Sequence, residues 1–263
     1  EIASCLVGSE MCIRDSAISG QMKQKSSALY DPMSNNSICI NGQLLLLDLV
    51  EHIEPYCELI QNNTDGIIVK LKDYEHDFDI LDDVVYEWEQ RTGMKMDFDT
   101  FIGTIYQKDV NNYLLIDRHT GAVKAKGGYV MKLNDLSYDL PIINKALVDY
   151  MIKGIPVERT ILECQDLREF QLVSRISSKY THILYGDTPI KEKCIRVFAS
   201  KNPSDPGVKK VHAIRKTTAK LTNSPAHCFI FNDDVKGVAV PDKLDRQWYI
   251  DFANKRLSDF GVM

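Results

Sequence analysis

Residues 58–71 read ELIQNNTDGIIVKL, two apolar, β-compatible arms around a polar Asn-Asn-Thr-Asp-Gly tip. Such a pattern predicts a tight antiparallel hairpin, because an Asp-Gly pair supplies turn geometry and the flanking residues suit a pleated strand. A hairpin this regular commits the chain to a sheet, and a sheet must bury at least one face. At the tip stands Asp65. A carboxylate held out by two stiff strands suits Mg²⁺, which takes one or two carboxylates together with substrate phosphates. The same letters also describe a plain surface turn, since Asp-Gly is common turn chemistry.

The surroundings supply the rest of a sheet-and-helix layer. Ile38, Leu45, Leu49 and Ile53 recur near helical spacing, which predicts a buried amphipathic helix over 37–58, with Gly42 marking a close approach. Asp31-Pro32 and the Ser34–Ser37 run upstream can cap it. A second helix is predicted over 76–91, acidic at its start and followed by Gly93. Strands are predicted at 94–105, 110–116 and 122–131, with turns at Gln107–Asp109 and Arg118–Gly121. The expected fold class is α+β, an antiparallel sheet with helices on one face over residues 17–133. A second, mixed domain should occupy 134–263. It has a short helix at 144–153, weak signals over 168–184, and a closing helix within 242–260 carrying Leu244, Trp248, Phe252 and Leu257.

The charge balance is informative in its distribution. The net charge of −5 argues against a chain devoted wholly to nucleic acid. Acid concentrates in 72–99, whereas 191–220 carries nine Lys and Arg against Glu192 and Asp205. That asymmetry allows a local cationic surface for a phosphate backbone, although a solvated face would look the same. Pro203, Pro206 and Gly207 make part of this stretch a loop. The seven cysteines are odd in number and never spaced Cys-x-x-Cys, so neither a zinc ribbon nor a disulfide framework is supported. Reduced thiols suit an intracellular, cytoplasmic setting. The six histidines are dispersed without metal-ligand spacing, and no apolar run approaches a membrane span.

Residues 1–16, EIASCLVGSEMCIRDS, lack the basic start and continuous apolar core of a signal peptide. The string resembles translated sequencing adaptor, and is expected to lie outside the fold as a non-native leader.

Tyr30-Asp31-Pro32, Gly42-Gln43-Leu44 and Asn63-Thr64-Asp65-Gly66, in this order, resemble the C-terminal part of a family B DNA polymerase of the bacteriophage kind. The resemblance implies a partial palm followed by a thumb-like domain. It implies template-directed nucleotidyl transfer to a primer 3′-hydroxyl, using Mg²⁺ in a two-metal site and deoxynucleoside triphosphates on primer-template DNA. Asp65 matches the catalytic, metal-binding aspartate of an Asp-Thr-Asp-Ser tip. Asn63 and Gly66 depart from that tip's first and last residues. The second carboxylate of the family belongs to an upstream motif that 17–263 lacks, so the piece alone is expected to be inactive. Thr64 and Gly20 fall at nucleotide-binding positions, Gly20 as the last residue of a nucleotide-binding helix. Tyr113 matches the tyrosine of a primer-contacting Lys-x-Tyr element in which Asn111 replaces the lysine. Lys124 and Lys126, beside Gly127-Gly128, would approach the backbone. Lys209 and Lys210 in the thumb would grip the duplex without reading its sequence. The expected state is a monomer in an infected bacterial host.

Two alternatives stay open. One is a non-catalytic nucleic-acid-binding replication protein on a decayed palm, for which Asn63, Gly66 and Asn111 speak. The other is an unrelated α+β domain whose acid-tipped hairpin is ornamental.

Overall fold

A computed structural model of the chain describes residues 2–7 (backbone only), 20–63, 66–131 and 139–262. The chain forms two compact units, Glu1–Lys124 and Ala125–Met263. The expected boundary at 133/134 is thus met by a division that falls earlier, within the last strand of the first sheet.

In the first unit six strands run in the order β2-β3-β1-β4-β5-β6. They are β1 (Ile2–Val7), β2 (Glu58–Asn62), β3 (Gly66–Leu71), β4 (Asp97–Asp109), β5 (Asn112–Asp117) and β6 (Val123–Lys126). The hairpin anticipated from 58–71 is β2–β3, antiparallel, with a register irregularity between Leu59 and Gln61. Residues 1–16 do not lie wholly outside the fold. β1 pairs antiparallel with β3 from Ile2↔Leu71 to Val7↔Gly66, and with β4 from Ile2↔Ile102 to Val7↔Asp97. The physical reason is backbone pairing: two strand edges inside a sheet require a partner for their N–H and C=O groups, and Ile-Ala-Ser-Cys-Leu-Val is compatible with extended backbone.

Two helices cover one face. Helix α1 (Pro32–Ile53) starts earlier than its apolar period suggested, because Asp31 accepts the Ser34 amide at 3.0 Å and Pro32 occupies the first turn. Hydrogen bonds from Ser34 hold the Asp31 carboxyl below its ordinary range. Helix α2 (Tyr74–Thr92) is capped by Asp73 and ends at Gly93, whose φ of 73° is left-handed and free for glycine. Leu46, Leu49 and Ile53 of α1 pack with Ile67, Val69 and Leu71 of β3 and with Leu81, Val85 and Trp88 of α2. Arg91 of α2 clamps Asp48 of α1 through two bonds, 2.7 and 3.3 Å. Two expectations for α1 fail: Ile38 is exposed, and a Cβ at Gly42 would meet nothing within 4 Å, so no close approach explains that glycine.

The second unit combines a three-stranded sheet, β13-β10-β7, and a four-stranded one, β12-β11-β8-β9. Its strands are β7 (Leu172–Arg175), β8 (Tyr180–Tyr185), β9 (Thr188–Ile190), β10 (Cys194–Ala199), β11 (Val208–His212), β12 (Thr218–Lys220) and β13 (Cys228–Ile230). Helices α3 (Pro141–Lys153), α4 (Val157–Glu163) and α5 (Arg246–Asp259) complete it. The closing helix is therefore present, but its buried face is Tyr249, Ile250, Ala253, Arg256 and Leu257, leaving Trp248 and Phe252 half-buried. Tyr249 is the unit's keystone. Its hydroxyl donates to the Phe170 carbonyl at 2.8 Å and accepts the Ala199 amide at 3.2 Å, while its ring meets Phe170 edge-on.

All the described cysteines are free thiols. Burial raises the thiol pKa of Cys57 to about 11 and of Cys228 to about 12, so neither is a ready thiolate. No described helix is long and apolar enough to cross a membrane.

Leu49, fully buried between α1 and the sheet, and Leu44, 56% exposed on the same helix, should separate core from surface. Leu49→Ala is expected to lower unfolding stability by about 3 kcal/mol and Leu44→Ala by no more than about 0.5 kcal/mol, as read from denaturant melts.

Candidate nucleic-acid interface

The hairpin that carries Asp65 is built from its buried arm outward. Every β3 residue from Ile67 to Leu71 except Lys70 is buried. Ile67, Val69 and Leu71 face the helices, while Ile68 faces away and packs with Phe101 and Leu115. The arms close where the Asn63 amide donates to the Gly66 carbonyl at 2.8 Å, on either side of residues 64 and 65. Thr64 and Asp65 themselves lie outside the described residues. Because Val7 pairs with Gly66, the chain leaves β1 beside this end of the hairpin. Among the described residues, no group of three His, Cys, Asp or Glu side chains could hold a metal ion.

The sheet face turned from the helices gathers two of the sequence candidates. Tyr113 is half-buried there beside Ile60, Ile105 and the Ile68–Phe101–Leu115 cluster. Lys124 reaches the same face, with its ammonium 5.5 Å from the Phe101 ring centroid and bonded to the Asp99 carboxylate. Tyr113 packs against this cluster, as strand aromatics commonly do. Lys124 shares its charge with Asp99, a partner hidden in the sequence because it stands twenty-five positions away.

Asn111 is exposed at the turn between β4 and β5. That turn is the two residues Val110 and Asn111, beyond the predicted Gln107–Asp109. The cause is Asp109, whose carboxylate accepts the Asn111 amide at 2.9 Å, the Asn112 side-chain amide at 3.0 Å and the Lys108 ammonium at 2.7 Å. An aspartate that bonds the backbone two residues on sets its own turn. These donors, the Lys108 ammonium first, depress the Asp109 pKa to about 2.

The remaining candidates are dispersed. Gly20 is exposed and helical, the first described residue of a helical stretch that runs to residue 23, and a Cβ there would meet nothing within 4 Å. Lys126 ends β6. Lys209 and Lys210 are consecutive on β11 and so point to opposite faces. Lys209 is exposed and stands directly across from Lys220 of β12, whereas Lys210 lies 4.5 Å over the Tyr180 ring. The Lys209–Lys220 juxtaposition escaped sequence reading, since only strand register creates it. At the start of α2, Asp73 and Asp77 cap the helix reciprocally: Asp73 accepts from the Glu75 amide, and Asp77 accepts from the Asp73 amide.

No family model matches the sequence, and no curated protein matches it. Among solved structures, the chain is similar to the family B DNA polymerase from the hyperthermophilic archaeon Pyrobaculum calidifontis. The likeness has a TM-score of 0.53 at 14% identity and covers 93% of this chain. The fold is polymerase-like. The chain spans 31% of that polymerase's length. At this identity the likeness is one of fold, in accord with the α+β architecture of antiparallel sheets and helices described above.

The β4–β5 turn makes a pH prediction. A folded pKa depressed to about 2 means the Asp109 contribution is complete above the ordinary carboxylate range and is lost as pH falls through about 2. The Asp109 carboxyl should titrate by NMR with a midpoint near 2, and Asn112→Ala should move that midpoint upward. A midpoint in the ordinary carboxylate range would contradict the turn described here.

Proposed function

We propose that this chain is the C-terminal palm and thumb portion of a family B DNA polymerase of bacteriophage type, acting in template-directed nucleotidyl transfer. The reading is supported by one observation above others. The hairpin in which Asp65 occupies the family's catalytic position is pinned by a strand buried on both faces, closed at Asn63 and Gly66, and set in a polymerase-like fold. Rigid presentation is what a metal-binding carboxylate requires, because catalysis of phosphoryl transfer is positioning plus electrostatic stabilisation.

In this reading Asp65 would hold Mg²⁺ together with a carboxylate of the family's upstream motif, which residues 17–263 lack. The ions, when bound, lower the pKa of the primer hydroxyl and neutralise the triphosphate. Thr64 and Gly20 are assigned to the nucleotide. Asn111, Tyr113, Lys124 and Lys126 are assigned to the primer-template, with Asn111 keeping a hydrogen-bond donor where the family has a cation. Lys124 is already paired with Asp99, so in this reading a phosphate there competes with that carboxylate. Lys209 and Lys210 contribute sequence-independent phosphate contacts in the thumb.

The alternative, a non-catalytic nucleic-acid-binding protein on a decayed palm, draws on Asn63, Gly66 and Asn111, which all differ from the family's residues. One experiment separates the two. A polymerase polypeptide containing this chain should extend a primed template with Mg²⁺, and Asp65→Ala should reduce extension by at least about 10³-fold, a loss of roughly 4 kcal/mol in transition-state stabilisation, without loss of template binding. Extension that survives Asp65→Ala refutes the assignment; salt-dependent binding with no extension by the unsubstituted polypeptide favours the decayed palm.

A further inference from the structure

Trp248, Phe252 and Arg256 stand four residues apart along α5 and so form one stripe. The Trp248 and Phe252 rings stack with centroids 5.2 Å apart and an interplanar angle of 18°. The Arg256 guanidinium lies 4.9 Å from the Phe252 centroid and 4.6 Å from that of Tyr129. Arg256 is buried, donates to Asn144 at 3.1 Å and pairs with Asp139 at 3.8 Å. The ladder is therefore closed at its inner end by a cation fixed in the core. At its outer end the half-buried Trp248 and Phe252 line a groove of about 390 Å³, facing Lys220, Leu221, Thr222, Asn223 and Ser224. That volume lies within the range of small-ligand clefts.

The far wall is built, not slack. Asn223 takes a left-handed φ of 58°, a conformation asparagine tolerates, and its amide reaches Asp139 at 3.4 Å. Ser224 donates to the Leu221 carbonyl at 2.8 Å. Asp139 is thereby shared between Arg256 at the base of the ladder and Asn223 on the opposite wall. Its negative charge is balanced by Arg256 and does not set the sign of the groove. Lys220 does, reinforced by Lys209 directly opposite it on β11. Like charges facing each other across a strand pair are destabilising, and an anion beside them relieves the repulsion.

We propose that this groove binds an unpaired nucleotide of single-stranded nucleic acid, its base stacking on the Trp248–Phe252 ladder and its phosphate meeting Lys220 and Lys209. An aromatic platform next to a cationic rim is the chemistry by which single strands are held without sequence preference. Thr222 and Asn223 offer polar groups to a base edge or sugar. The inference takes the class of its occupant from the polymerase reading, but it does not use Asp65 or the sheet of the first unit.

The chain has two tryptophans, and Trp88 is buried at 2% exposure, so a Trp88→Phe chain leaves Trp248 as the reporter. Short oligothymidylate is expected to quench Trp248 fluorescence, with affinity that falls as salt rises. Trp248→Ala should weaken binding roughly five- to a hundredfold by anisotropy of a labelled oligonucleotide. Lys220→Gln should flatten the slope of log affinity against log salt by about 0.7. Absence of quenching, equal competition by blunt duplex, or equal competition by inorganic tripolyphosphate would each overturn the proposal, the last two by removing the base from recognition. Should Trp248→Ala fail to fold by circular dichroism, quenching and competition in the Trp88→Phe chain decide the matter. Failure here with primed template still bound and extended sinks this inference alone; quenching retained while Asp65→Ala leaves extension intact sinks the polymerase reading alone.

Discussion

The first unit depends on the burial of β3 on both faces. Ile67, Val69 and Leu71 close the helix-side core, and Ile68 closes the opposite one. A strand fixed this way cannot shift register by one residue without moving its apolar side chains to the wrong faces. The neighbouring strands then follow: β2 folds back across Asn63 and Gly66, and β1 joins β3 to β4. Asp65 precedes Gly66, the first residue of this doubly buried strand.

Electrostatics in the two units follow different designs. Lys124 is tied to Asp99, and Lys108 to Asp109, so much of the cationic charge on the first sheet is internally balanced. In the second unit Lys210 and Arg256 rest on aromatic rings, while Lys209 and Lys220 oppose each other across β11 and β12. Charge counting along the chain treats all of these alike. Only their partners separate lysines tied to a carboxylate or an aromatic ring from lysines set against another cation.

The aromatic ladder on α5 shows how a core can extend to the surface. Tyr249, one position after Trp248, faces inward and binds Phe170 and Ala199. Burial drives its phenol pKa well above the ordinary value, so it remains a neutral hydrogen-bonding group. Trp248 touches it edge-on and is steadied by it. The stacked pair is thus preorganised, which reduces the ordering a ligand must impose.

What the sequence by itself determined is local. The β2–β3 hairpin, the α+β class, the glycine stop after α2, the closing helix and the broken cationic stretch all arise from turn chemistry, capping and short-range apolar periodicity, which act within a few residues. Tertiary structure decided everything that needs distant partners. It admitted β1 into the sheet because open strand edges need pairing, moved the β4–β5 turn to where Asp109 could bind its own backbone, and left Ile38 exposed despite its helical spacing. It also gave Lys124 a carboxylate twenty-five positions away and set Lys209 against Lys220. Register, burial and long-range charge pairing are properties of the folded arrangement, and no window along the chain contains them.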